Sequence, residues 1–184
     1  MAYQPLQPET RSFLRFLSTH PEIRVQIKAP PDKTVLYTGE FAGPMWATVK
    51  RDQQFAPAMH DKVTLEDVLV HVAVPGAGYA NLMEYANGVA QALSGKASLT
   101  KAEADRNINI IWKALSGIFA SQAVGRVSFH IGSNVDPKKV FASTELAVLA
   151  RNKHVSPLTK ELIGYYQDCI RKGITAINLG FTAG

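Results

Sequence analysis

Cysteine is nearly missing from this chain. Cys169 is the only one in 184 residues, which excludes an internal disulfide and suits a reducing compartment. Long apolar runs are missing too: none reaches the ~20 residues that a membrane-spanning helix needs. The first residues carry no charged segment followed by an apolar stretch, so no secretory signal peptide is expected. Export would then need a dedicated machine or a larger parent chain. Metal-ligand spacing is absent, because His60, His71, His130 and His154 form neither an H-x-x-x-H pair nor a Cys/His finger. Pro75-Gly76-Ala77-Gly78 lacks the lysine and the strand–helix context of a phosphate-binding loop. Internal repeats and low-complexity tracts are also lacking.

What is present is ordinary globular chemistry. Apolar residues make up 46% and charged residues 19%, in a length that suits one domain, built as two lobes. Twenty Lys and Arg against 15 Asp and Glu leave a formal charge of +5. Such an excess fits an anionic small substrate, an acidic protein or a nucleic acid. The basic residues are scattered, apart from short pairs such as Lys50-Arg51 and Lys138-Lys139, which makes nucleic acid the weakest of the three.

Periodicity predicts a helix over Pro8 to His20, with Phe13, Leu14, Phe16 and Leu17 on its apolar side. Ala29-Pro30-Pro31-Asp32 breaks the chain before a short strand, Thr34 to Tyr37, ended by Gly39. A helical piece from Trp46 to Lys50 and a loop from Gln53 to Lys62 are expected next. Thr64-Leu65-Glu66-Asp67 starts a helix that ends before Pro75-Gly76. Further helices are expected from Tyr79 to Leu93 and from the cap Thr100 through Ala123. Alternation of Val127, Phe129 and Ile131 predicts a strand over Arg126 to Ile131. A short helix over Ser143 to Arg151, one opened by Pro157 behind Ser156 and closed at Gly173, and a strand over Ile174 to Leu179 complete the chain. The pattern is α/β (α+β): a mainly helical lobe over 1–123 and a lobe over 124–184 with a small parallel sheet flanked by helices.

Three stretches, in this order, carry a resemblance. They are Val35-Leu36-Tyr37-Thr38-Gly39 with Thr64-Leu65-Glu66-Asp67; Ile111-Trp112-Lys113-Ala114-Leu115-Ser116-Gly117-Ile118-Phe119-Ala120-Ser121-Gln122-Ala123; and Val140-Phe141-Ala142-Ser143-Thr144-Glu145-Leu146. No single piece is specific. The ordered set, with W-x-x-x-S-x-x-F-A-x-x-A just before a strand, resembles the ADP-ribosyl cyclase and NAD glycohydrolase family over roughly Thr34 to Val155. The shortage of cysteine resembles that family's disulfide-free bacterial toxin branch.

The resemblance implies an ADP-ribosyl cyclase-like fold and cleavage of NAD or NADP between nicotinamide and ribose, without metal or second cofactor. Glu145 stands where the family has its catalytic glutamate. Nicotinamide leaves as an already cationic group, so the chemistry asks for a carboxylate beside the developing ribosyl cation rather than for a strong acid. Trp112 is implied as the ring that stacks on nicotinamide, and Ser116, one turn on, as a ribose contact. Glu66 matches the second acidic residue, near the nicotinamide amide; Asp67 is its neighbour. Tyr37 is implied as a second aromatic wall, Thr38 as its companion, and Phe141 and Ala142 as backbone donors to the pyrophosphate, with Lys138 and Lys139 adding charge.

Each of these residues also has a plainer reading. Glu145 alone reads as a solvated first-turn glutamate, Trp112 as core beside Ile108 and Leu115, and Glu66 as a helix cap. Two departures matter. Tyr37 stands where animal relatives have tryptophan, and Thr38-Gly39 replaces a serine–arginine pair that touches phosphate. The expected role is a toxin delivered by a dedicated system, or within a larger toxin, and acting in the cytoplasm of a target cell. A neutralising immunity protein is the expected partner, without nucleic acid or membrane. A cyclase making cyclic ADP-ribose and a non-catalytic NAD- or partner-binding module are the alternatives. A nuclease is more distant.

Overall fold

The computed structural model describes residues 5–38, 61–131, 135–174 and 180–182. The chain is α/β, and its described part holds seven α-helices, one π-helical turn and three strands. The helices are α1 (Pro8–Thr19), α2 (Pro21–Arg24), α3 (Leu65–Leu69), α4 (Leu82–Ser94), α5 (Lys101–Ser121), α6 (Leu146–Arg151) and α7 (Pro157–Arg171). The strands are β1 (Val35–Thr38), β2 (Ser128–Ile131) and β3 (Gly180–Thr182).

Local chemistry sets most of these limits. Thr64 and Thr100 each close a capping box, with Asp67 and Glu103 as the reciprocal acids, so α3 and α5 start where a side chain can satisfy the orphan amides. Asn81 caps α4 through the Glu84 amide, which moves that helix start from the expected Tyr79 to Leu82. Helix α3 stops at Leu69, well short of Pro75. The expected pieces at 46–50 and 53–60 lie outside the described residues, as does most of the expected strand over Ile174 to Leu179.

The sheet has the order β1-β2-β3. Strand β1 runs parallel to β2 in the register Val35 to Ser128 through Thr38 to Ile131. Strand β3 runs antiparallel to β2 and pairs Ile131 with Gly180. The sheet is therefore mixed, where parallel strands alone were expected. A parallel neighbour needs a crossover connection, whereas an antiparallel one does not. Asp32 locks β1 beside β2: its amide donates to Val124 O at 2.9 Å and its Oδ1 accepts from the Arg126 amide at 2.7 Å. Gly125 (φ 75°) is required there, because a Cβ would stand 2.2 Å from that oxygen.

One cluster of buried side chains runs from Phe13 on α1 through Ile111, Leu115 and Phe119 on α5 to Tyr166 on α7. Two asparagines tie the helices. Asn107 on α5 accepts from Thr10 Oγ1 on α1 at 2.9 Å. Asn152, just past α6, donates to the carbonyls of Ala120 and Ala123 at the end of α5, at 3.0 and 2.9 Å. The end of α5 and the segment leaving α6 are thereby held together.

Candidate active site

Helix α5 presents two faces. Ile111, Leu115 and Phe119 are buried in the core. Asn109, Trp112 and Ser116, at i, i+3 and i+7, share the other face and line a cavity of about 510 Å³. That volume suits a small-molecule ligand. Trp112 is half-buried: it packs against the core and also borders the cavity.

The opposite wall comes from β1 and α3. Val35, Leu36, Tyr37 and Thr38 line the cavity along the strand, and Leu65 and Glu66 line it from the first turn of α3. The third wall follows β2: Asp136, Lys139, Val140, Phe141 and Glu145. Phe141 to Glu145 form the π-helical turn, closed by the Leu146 amide donating to Phe141 O, five residues back. This turn buries Phe141 against Phe129 and Tyr166 and buries Glu145 as well. Glu145 had the plain reading of a solvated first-turn residue; it is 6% exposed. Such local expansions of a helix occur often at functional positions.

A carboxylate that deep is costly to ionise. Burial lifts Glu145 from the ordinary 4.5 to about 8. A hydrogen bond with the Ser116 hydroxyl opposes the rise, and the nearby Glu66 charge adds to it. Glu66 is raised as well, first by burial, with its hydrogen bond from Tyr37 acting against the rise. Tyr37 donates its hydroxyl proton to Glu66 Oε1. Burial, then the charge of Glu66, pushes the phenol up, so it stays a proton donor across the physiological range. Glu66 Oε2 is buried and meets no hydrogen-bond donor.

Of the residues singled out from sequence, Glu145, Trp112, Glu66, Tyr37, Thr38, Ser116 and Phe141 meet around this one cavity. Asp67 and Ala142 do not line it. Asp67 accepts from the Thr64 amide at 2.9 Å as the acid of the capping box, and borders a separate hollow with Lys28, Lys62 and His71. Ala142 turns against the core. Asn109 and Asp136 border the cavity without having been singled out. Asn109 had a signal in the sequence, since it stands one turn before Trp112; Asp136 had none, because a loop position shows no period. Lys139 is the cation that borders the cavity among the described residues, and Lys138 does not border it. Among the same residues, no group of three or more His, Cys, Asp or Glu is arranged to hold a metal ion.

The cavity thus combines the buried Glu145 carboxyl with the half-buried Glu66, both shifted by burial towards the neutral form, three aromatic side chains, a serine, an asparagine and a lysine. It can hold a flat cationic ring and steady a positive charge that develops beside it. Comparisons with family models, with curated proteins and with solved structures return no match to this chain.

Proposed function

We propose that this chain is a glycohydrolase that cleaves the nicotinamide–ribose bond of NAD or NADP, releasing nicotinamide and ADP-ribose or its phosphate. The observation that carries the reading is the burial of Glu145 in a cavity it shares with Glu66, Trp112 and Tyr37. Those are the residues that the family resemblance marks, drawn from sequence positions more than a hundred residues apart.

The chemistry follows from the electrostatics. Burial alone holds Glu145 largely neutral near pH 7. A pyridinium ring entering beside it favours the ionised form, because an opposite charge nearby lowers a carboxyl pKa. Trp112 offers its indole face to the cationic ring, worth ~0.5–2 kcal/mol. As the C1′–N bond breaks, the electron pair leaves with the ring nitrogen and nicotinamide departs neutral. Positive charge moves to the sugar carbon, where the Glu145 carboxylate stabilises it. Water then adds to that carbon, and its proton passes to the carboxylate or to solvent. Ser116 holds Glu145 in place, and Lys139 at the rim supplies charge for the pyrophosphate. The same reading extends to an effector role, in which a neutralising partner would act by filling this cavity.

The direct test is nicotinamide release from NAD by the purified chain. Steady release that is lost in Glu145→Gln, with the fold retained, supports the reading. Folded protein that leaves NAD intact rejects it.

A further inference from the structure

Two charged residues mark the mouth of the cavity. Among the described residues that line it, Asp136 and Lys139 are the exposed ones; the others, Glu145 and Ser116 included, are buried or half-buried. Both stand in the turn that runs into the π-helical segment. The Asp136 carbonyl accepts from the Lys139 amide at 3.1 Å, and the Lys139 carbonyl accepts from the amide and the hydroxyl of Ser143 at 3.0 and 2.7 Å. The Asp136 side chain is fixed as well, because its Oδ1 accepts from the Lys138 amide at 2.8 Å. Its second oxygen is left to accept from a ligand. A dinucleotide seated with its scissile bond at the buried Glu145 sends its adenosine end out through this mouth. We infer that Asp136 reads the adenosine ribose there and makes the site prefer NAD over NADP. This rests on the proposed reading that the cavity takes the nicotinamide end of the dinucleotide.

The two substrates differ at one ribose oxygen. In NAD the 2′-hydroxyl is a donor, which suits a carboxylate; in NADP the same oxygen carries a phosphate, which brings negative charge and only acceptors. Lys139 makes the opposite offer, so the sign of the selection depends on which side chain meets this oxygen. The pyrophosphate is common to both substrates and is reached first on the way out. A contact made equally to both substrates does not tell them apart. Lys139 spends its charge there, at the end of a flexible stem. Asp136 has no such freedom: turning away from a phosphate would break its bond from the Lys138 amide. Exposure limits the size of the effect. Repulsion between a carboxylate and a phosphate dianion beside water is worth ~10-fold, and the lost bond from the ribose adds up to ~10-fold more.

The experiment compares kcat/KM for NAD and for NADP in the parent, Asp136→Asn and Lys139→Gln, all checked for folding by thermal denaturation. The parent should prefer NAD by ~10–100-fold. Asparagine keeps an oxygen for the Lys138 amide and loses the charge, so Asp136→Asn should raise kcat/KM for NADP itself and shrink the ratio ~10-fold. Damage to the fold does not produce a gain on one substrate. Lys139→Gln should lower both values and leave their ratio within about twofold, as loss of a uniform contact does. A parent that uses NADP as well as NAD overturns the inference, as does Asp136→Asn without a gain on NADP. A loss confined to NADP in Lys139→Gln overturns it too, because the lysine would then be reading the 2′-phosphate. If Asp136→Asn fails to fold, Asp136→Ser, which can close the same turn, takes its place under the same criteria. If the folded parent releases nicotinamide from neither substrate, the catalytic reading falls, and parent and variant are titrated with AMP and with adenosine 2′,5′-bisphosphate, followed by NMR. Tighter binding of AMP that is lost in Asp136→Asn sustains the inference; equal binding, none, or a difference that survives the substitution ends it.

Discussion

Replacing Glu145 by glutamine should make the protein more stable and less active, and the gain in stability should depend on pH. Burial lifts the folded-state pKa of Glu145 to about 8 from the ordinary 4.5. Between those values the folded chain keeps a proton that the unfolded chain releases. Stability therefore falls as pH rises through this window, and levels off above it. Each pH unit is worth ~1.4 kcal/mol, so at pH 7 the parent carries a penalty of about 3 kcal/mol that glutamine, which never ionises, does not share. For a chain of this length that corresponds to ~6–12 °C in Tm. Near pH 4 both proteins are neutral at this position and the difference should vanish. Denaturant titrations of parent and Glu145→Gln at pH 4 and pH 7 measure it directly. Equal stabilities at pH 7, or the same gain at both pH values, would refute the reasoning. In the same variant, NAD cleavage should fall ~10²-fold or more, as expected when a preorganised charge partner is removed.

Other expectations follow from the same geometry. In the parent, kcat/KM for NAD should rise with pH through about 8, because that ratio reports the free enzyme, whose Glu145 must ionise. Ser116→Ala removes the hydrogen bond that opposes the rise, so the limb should move to higher pH; a profile unmoved by this change argues against Glu145 as the ionising group. Trp112→Ala, made in the Glu145→Gln background so that NAD stays intact, should weaken NAD binding ~2–30-fold by titration calorimetry. Asn152→Ala strands the carbonyls of Ala120 and Ala123 and should cost about 2–4 kcal/mol in denaturant, with little change in the activity that remains at low temperature.

The candidate site was partly legible because chemistry at a helix surface has a period. Trp112 and Ser116 share a face at i and i+4, and Asn109 joins them at i−3 from Trp112, a relation readable without coordinates. Asp67 follows Glu66 in the Thr-Leu-Glu-Asp segment that carries the resemblance, yet the two point to different places: Asp67 closes the capping box on Thr64 and Glu66 lines the cavity. Neighbours on a helix are about 100° apart, so one faces the cavity and the other the cap. Glu145 was legible as a position and not as an environment. The π-helical turn widens the helix where it enters α6, and nothing in Phe-Ala-Ser-Thr-Glu predicts that expansion. Asp136 and Lys139 stand in the segment after β2, where no period marks direction.

The sequence by itself determined the capped starts of α3 and α5, the apolar stripe of α5, the alternation of β2, and the residue types able to do chemistry. These depend on contacts within a turn or two of chain, or on alternation along one strand, and are encoded where they occur. Only the tertiary structure decided that Glu66, Tyr37, Trp112 and Glu145 share one cavity, and that Glu145 is buried enough to hold its proton near pH 7. It also decided that β3 joins antiparallel at the sheet's edge. Burial and pKa are properties of everything packed around a group, and the residues around this one come from four separate parts of the chain.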